Sequence, residues 1–316
     1  MYFFKHHLTV FRLLIVFVLF VILLHKIRPG EIYKALMQSK PHYLIIALVL
    51  LIPKLALQII RWKYLLSNLN PRPSLKDEIM SLFGGFFLAA VSPACTGELA
   101  RGLWIKGHSK LKIASLTLVD KGFNQFIILL GGIFALFLLK QGLFRVLVIG
   151  VGIALSFFVY TLCRAQQFWK KILERFFNKE TVENALAAYS ALSTGKFWVM
   201  FTYTVFLYSV YVSQFYIIFL AFADVSVLTA VQTLPLVFFI DLVLPLSFGG
   251  FGIKEMASVT ILGAKGFDSG SAFSAAFIQN FLTYLLPGLI GGIIISIMRF
   301  LPGRRVLSSS AHNAPS

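Results

Sequence analysis

Long apolar runs constrain this chain more than any other feature of its sequence. Six stretches have the roughly 20 residues that a helix needs to cross the hydrocarbon core of a bilayer. Charged residues make up only 13% of the chain, against about 25% in an ordinary soluble domain. Because only helices and closed barrels satisfy every backbone polar group in lipid, we predict an all-α, polytopic membrane protein. The predicted spans are 8–27, 42–66, 113–139, 143–163, 197–222 and 272–298.

Two further apolar segments lead into sequences that are poor continuous helices. The first, Ser92–Arg101, has the sequence SPACTGELAR, and the second, Leu244–Glu255, has the sequence LPLSFGGFGIKE. Each combines a proline and small residues with a glutamate close to a basic side chain. Proline removes a backbone donor and glycine weakens a helix, and at membrane depth such breaks are tolerated where they line a polar cavity. A matched pair indicates an internally duplicated transport site.

The distribution of basic residues favours two re-entrant helical hairpins, at about 79–96 and 228–250, over two additional crossings. Two crossings would place basic loops on opposite sides of the membrane, against the positive-inside tendency. With two hairpins and a cytoplasmic N-terminus, roughly 19 Lys and Arg residues face the cytoplasm and roughly 8 face outward. Three spans then separate the hairpins, which predicts an inverted repeat with both termini in the cytoplasm. Two glycine pairs follow the motifs at similar distances, Gly131–Gly132 and Gly291–Gly292.

The motif residues fit two elements of a known family. The first has the pattern P-x-x-x-G-[D/E]-x-x-R at Pro93, Gly97, Glu98 and Arg101. The second has the pattern P-x-S-x-G-G-x-G-x-[R/K]-E at Pro245, Ser247, Gly249, Gly250, Gly252, Lys254 and Glu255. In this order and spacing, over about residues 40–298, the chain resembles the lysylphosphatidylglycerol synthase transmembrane-region family of flippase-like integral membrane proteins. Members often have Asp in place of Glu98 and Arg in place of Lys254.

The resemblance implies that the two motifs form the substrate site of a lipid-translocating domain. An anionic head group that passes a low-dielectric region needs cations and free backbone amides. Arg101 offers a planar fork for a phosphate, whereas Lys254 is a point charge. The acids pair with these cations in the empty state, bind a cationic head group or take up a proton; alternatively, both pairs only anchor the hairpins. The predicted substrate-binding residues are Gly97, Glu98, Arg101, Gly250, Gly252, Lys254 and Glu255.

Four more ionisable residues fall inside apolar segments: Lys54, Asp120, Lys121 and Asp241. Charge at membrane depth is costly and by default indicates function. The structural alternative for Lys54 is a long side chain that reaches the interface from a kink at Pro53. For Asp120 the alternatives are a proton relay and the neutralisation of a neighbouring helix. Asp241 has no partner nearby in the sequence.

Lipid translocation is the function we expect, with the head group of a phospholipid or polyprenyl phosphate between the hairpins and its tails in the bilayer. The alternative is an accessory protein or enzyme component in lipid-linked glycan or membrane-lipid assembly. The soluble aminoacyl-transferase domain of the family's bifunctional members has no counterpart in these 316 residues, so no enzymatic activity is expected. We expect no nucleic acid as a partner, because the net charge of +17 lies mostly in short loops, and no cofactor or metal, because the six histidines are scattered and the two cysteines form no CxxC motif.

We predict a single flippase-like domain over residues 1–307, in the cell membrane, and a short disordered tail over residues 308–316. Residues 164–196 contain Phe168, Ile172 and Phe176 at four-residue spacing among basic side chains. This pattern predicts an amphipathic helix on the anionic cytoplasmic leaflet, with a helix that docks a partner as the alternative. The sequence leaves open a partner synthase and a homo-oligomer.

Overall fold

A computed structural model of the protein describes residues 29–67, 69–92, 95–139, 194–244 and 251–300, with isolated positions between 170 and 183. The all-helical class is confirmed for this part of the chain. Its elements are α1 (Pro29–Met37), α2 (Pro41–Val49), α3 (Leu51–Leu66), α4 (Leu75–Ala90), a 3-10 helix (Thr96–Leu103), α5 (Lys110–Leu139), α6 (Thr194–Leu220), α7 (Val227–Val243), α8 (Ile253–Gly263), α9 (Ser269–Asn280), a π-helix (Phe281–Leu285) and α10 (Leu286–Phe300).

Four helical stretches of the described residues are long and apolar enough to cross a membrane. They are Pro41–Leu66, Lys110–Leu139, Gly195–Leu220 and Ser269–Ile297. The shortest have 26 residues, which corresponds to about 39 Å at 1.5 Å per residue and exceeds a hydrocarbon core of about 30 Å. They coincide with four of the six predicted spans. The other two, 8–27 and 143–163, lie outside the described residues, as do most of segment 164–196 and the tail 308–316.

Each motif follows a shorter apolar helix. Helix α4 begins earlier than the predicted hairpin because Ser74 caps it, its Oγ accepting the Asp77 N–H at 3.2 Å. After α4 ends, the 3-10 helix packs back along it in the antiparallel direction, since Gly97 lies against Leu88 and Arg101 against Gly85. In the second half, α8 follows the second motif and packs against α7. Each segment predicted as a hairpin thus contains mainly one helix, α4 or α7, and the element that packs on this helix lies largely beyond the predicted boundary.

The most extensive helix packing connects the two halves of the chain. Helix α10 packs on α4, and α5 packs on α7. Glycines of the two pairs lie at these contacts: a Cβ added to Gly291 would be 2.2 Å from the Phe83 carbonyl oxygen, and one added to Gly132 would be 2.4 Å from Phe239 Cβ. No side chain fits in either place. The long helix that follows each motif thus packs on the helix that precedes the other motif.

Helices α3 and α6 run antiparallel and are joined by a ladder of polar contacts. The ladder consists of Lys54 Nζ to Gln214 Oε1 (2.7 Å), Gln58 Nε2 to the Tyr211 hydroxyl (2.9 Å) and Arg61 Nη1 to Thr204 Oγ1 (3.3 Å). The spacing of the three α3 residues places them on one face of the helix. Ile52, on the opposite face, is exposed. Helix α3 therefore turns a polar stripe inward and an apolar surface outward.

Candidate functional site

The first motif belongs to a cluster of five charged side chains from three helices, here called the arginine cluster: Arg61, Glu98, Arg101, Asp120 and Lys121. Asp120 lies between two arginines, with Oδ1 2.8 Å from Arg61 Nε and Oδ2 3.1 Å from Arg101 Nη1. Glu98 Oε2 accepts from Arg101 Nη2 at 3.0 Å, and Glu98 Oε1 is 3.5 Å from Lys121 Nζ. Four of the five are buried and Lys121 is 25% exposed. Asp120 thus pairs with positive charges on two neighbouring helices.

Close backbone packing holds Arg101 in this cluster. A Cβ added to Gly97 would lie 2.2 Å from the Leu88 carbonyl oxygen, so only glycine lets the 3-10 helix approach α4 this closely. Gly85 on α4 leaves room for the Arg101 side chain, whose Cγ would be 2.7 Å from a Cβ at that position. The guanidinium then stacks over the Trp62 ring, 4.7 Å from its centroid, in a cation–π contact.

The second motif forms a smaller cluster, here called the lysine cluster: Asp241, Lys254, Glu255 and Asn280. Lys254 Nζ donates to Asn280 Oδ1 at 2.6 Å and lies 3.5 Å from Asp241 Oδ2. Asn280 Nδ2 donates to Glu255 Oε1 at 2.7 Å, so Asn280 bridges Lys254 and Glu255, for which no direct ion pair is found in the described residues. The Gly252 N–H donates to Glu255 Oε2 at 2.7 Å from a backbone with φ of 112°, which favours glycine.

A polar cavity extends between the two clusters. One part, of about 110 Å³, is lined by Lys121, Asp241 and Lys254 among others. The adjoining part, of about 60 Å³, reaches the arginines of the first cluster. The two parts share six lining residues: Lys121, Asn124, Gln125, Tyr211, Thr283 and Tyr284. The cavity therefore runs from one motif to the other, between α5, α6 and the π-helix.

Lys54 lies directly behind the shared wall of the cavity. It is fully buried and donates to Gln214 Oε1 at 2.7 Å, Thr283 Oγ1 at 3.3 Å and the Leu282 carbonyl at 3.4 Å. Its Nζ is also 4.9 Å from the centroid of the Tyr211 ring. None of the ion pairs among the described residues includes Lys54. The lysine thus points into the protein, and the alternative that it extends to the membrane interface is wrong.

The structure brings the sequence-predicted residues to one region of the protein. Glu98, Arg101, Asp120, Lys121, Asp241 and Lys254 line the cavity, and Lys54 and Glu255 lie next to these lining groups. Gly97 and Gly252 shape the backbone at the motifs, and Gly250 lies outside the described residues.

Sequence reasoning missed two members of the clusters. Arg61 was not among the predicted site residues, because it lies near the end of a predicted span, yet it is 5% exposed and contacts Asp120. Asn280 drew no attention because it is uncharged. The signal that finds both is the same: a strongly polar side chain inside an apolar run, which also marks Gln58 and Gln214 in the ladder.

Comparison with known proteins identifies the family. The family model described as Lysylphosphatidylglycerol synthase TM region matches residues 9–291, a range that contains both clusters and the cavity between them. No curated protein matches the chain. The match covers far more than half of the 316 residues, and it agrees with the apolar spans and with the two motifs. The chain therefore belongs to the lysylphosphatidylglycerol synthase transmembrane-region family, a group of membrane proteins involved in lipid handling.

Proposed function

We propose that this protein moves lipids between the two leaflets of the cell membrane, with the head group in the polar cavity and the tails in the bilayer. The observation that carries this proposal is the cavity itself. It lies among apolar helices and has a charged cluster at each end. A head group needs such a polar path because the hydrocarbon core disfavours charge. Membership of a lipid-handling membrane family supports the same function. The proposed cycle contains no chemical step, so the protein acts as a transporter rather than an enzyme.

Lys121 is the cation that we place first in contact with a phosphate. Both Nη atoms of Arg101 already donate to carboxylates, one to Glu98 and one to Asp120. Within the described part of the chain, Lys121 has two polar contacts, the Cys95 carbonyl at 3.1 Å and Glu98 at 3.5 Å, and it lines both parts of the cavity. Since an ammonium has three donors, one remains for a phosphate oxygen. The phosphate then competes with Glu98 for Arg101 and Lys121.

Two re-entrant hairpins in an inverted repeat provide the access route in this proposal. The antiparallel α3 and α6 support it, as does the exchanged packing of α5 on α7 and of α10 on α4. In this arrangement a rocking motion of one half against the other opens the cavity to one leaflet at a time. The same scheme puts both termini in the cytoplasm.

The direct test is leaflet-resolved lipid movement in vesicles that contain the purified protein. Lipids labelled on an acyl chain are bleached from outside by a reagent that does not cross the bilayer. With wild-type protein we expect the bleached fraction to exceed the fraction of labelled lipid in the outer leaflet, because lipid from the inner leaflet is moved outward. Lys121→Gln should slow this movement by about tenfold or more, because a charge-assisted hydrogen bond is lost. Lys265→Gln, which removes an exposed lysine, is the matched control. Bleaching that stops at the outer leaflet with wild-type protein, or an unaffected Lys121→Gln variant, contradicts the proposal.

A further inference from the structure

The charges around the cavity do not balance. Five basic side chains, Lys54, Arg61, Arg101, Lys121 and Lys254, are arranged with only four carboxylates, Glu98, Asp120, Asp241 and Glu255. All nine are buried or largely buried. Among the residues that the structure describes, the site therefore carries one formal positive charge in excess.

An ionised carboxylate can only accept hydrogen bonds. Three of the four have a cation or an N–H group at both oxygens, whereas Asp241 has a cation at Oδ2 and no hydrogen-bond partner at its buried Oδ1 among the described residues. Asp120 contacts two arginines, and Glu98 contacts an arginine and a lysine. Glu255 accepts one N–H at each oxygen, and Asp241 lies beside Lys254. The carboxylates are thus committed to the cations and N–H groups of the two clusters.

Among the described residues, Lys54 is the basic side chain of the five that has no carboxylate partner. Its three donors match three acceptors, Gln214 Oε1, the Leu282 carbonyl and Thr283 Oγ1, so the ammonium is fully hydrogen-bonded. All three acceptors are neutral, however, and they offer no compensating charge. A buried charge without a counter-charge is unfavourable. Two of the side chains that contact Lys54, Tyr211 and Thr283, form part of the cavity wall, so its charge acts on whatever occupies the cavity.

We propose that the substrate supplies the missing counter-charge, and that the site selects lipid head groups with a net charge of one negative. A phosphodiester without an amine, as in phosphatidylglycerol, has this charge. A zwitterionic head group leaves the excess positive charge uncompensated, and a phosphomonoester with nearly two negative charges creates an excess of the opposite sign. This inference rests on the proposed function, because it names the substrate class of the same cavity.

Binding and movement of three lipids with identical acyl chains test the charge preference: phosphatidylglycerol, phosphatidylethanolamine and phosphatidic acid. Binding is measured as the rise in the unfolding temperature of the purified protein in neutral detergent, and movement by the vesicle assay with acyl-chain labels. For wild-type protein we expect phosphatidylglycerol to bind and move about tenfold better than the other two, since an unpaired charge in a medium of intermediate dielectric costs at least this factor. Equal stabilisation by all three lipids would overturn the inference.

Two variants remove the excess charge in different ways. Lys54→Met deletes the ammonium at similar length, and Gln214→Glu adds a carboxylate next to it, where Oε1 of Gln214 is 2.7 Å from Nζ. Both should shift the preference to phosphatidylethanolamine, whereas Lys54→Arg keeps the charge and should keep the wild-type preference. A retained preference for phosphatidylglycerol in whichever neutralising variant folds refutes the inference. If phosphatidylglycerol binds selectively but nothing moves in vesicles, the translocation proposal fails and the charge selectivity stands.

Discussion

Replacement of Asp120 by Asn tests whether the arginine cluster stabilises the fold through its central carboxylate. Asp120 forms an ion pair with Arg61 at 2.8 Å and accepts a hydrogen bond from Arg101 at 3.1 Å, and all three side chains are buried. Asn keeps the shape and one acceptor oxygen but removes the charge, so the two arginines share one neutral acceptor, and Glu98 is the one carboxylate of the cluster that still pairs with either of them. Removing one partner of a buried ion pair costs about 3–5 kcal/mol. We expect about 3 kcal/mol because Asn retains a single hydrogen bond.

Denaturant unfolding of the purified protein in mild detergent measures this loss. Trp62 is buried and stacks on Arg101, so tryptophan fluorescence reports on the cluster. The matched control is Asp224→Asn, which makes the same chemical change in an ion pair with Lys40 of similar length, 2.7 Å, that is exposed to solvent. We expect little change for this control, because exposed ion pairs contribute little.

A double variant separates pairing from general disturbance. In Arg61→Gln/Asp120→Asn the acid and one of its cations are removed together, so the combined loss should be smaller than the sum of the two single losses. The reasoning is refuted if Asp120→Asn unfolds at the wild-type denaturant concentration, or if the losses of the two single variants simply add.

Three further predictions concern packing, pH and topology. Gly291→Ala should lower stability strongly, because its Cβ would lie 2.2 Å from a carbonyl oxygen of α4, whereas Gly263→Ala has open space around it and should be tolerated; equal unfolding temperatures would disprove the exchanged packing. Burial raises the pKa of Glu78 above its ordinary value, so its ionised form destabilises the fold as pH rises, and Glu78→Gln should raise the unfolding temperature more at about pH 8 than at about pH 5. A larger gain at the lower pH would contradict this. Cysteines placed at His108 and at position 180 should both be labelled from the cytoplasm, and labelling from opposite sides would reject the two-hairpin topology.

Hydropathy and residue type were sufficient to locate four spans and most of the charged residues that the fold brings together around the cavity. Apolar length alone located four helices, and the proline and glycine breaks located both motifs, because these signals are local in the sequence. Glu98 and Arg101 are three positions apart, but most other partners of the site's charges are distant in the sequence. Lys54 and Gln214 are 160 positions apart, and no periodicity in either helix indicates that they meet.

The sequence also did not predict the direction in which a side chain points. Arg61 lies close to a basic loop, and positive charge near a span end normally marks the cytoplasmic side. Only the packing of α3 on α6 and α5 turns this arginine inward to Thr204 and Asp120. Likewise, Gly132 and Gly291 were recognised as a matched feature, but which helix each one contacts depends on how the two halves fold together.

The polar ladder between α3 and α6 has a consequence for the synthesis of the protein. Its paired residues are separated by 143 to 160 positions. At about 5–20 residues per second, α3 leaves the ribosome roughly 7 to 32 s before α6. During this interval Lys54 and Arg61 lack their α6 partners, and a basic residue such as Lys54 near the middle of a span disfavours insertion into lipid by about 2.5–3.5 kcal/mol. We therefore expect the pairing with α6 to lower the free-energy cost of holding these side chains in the bilayer only once α6 has been made.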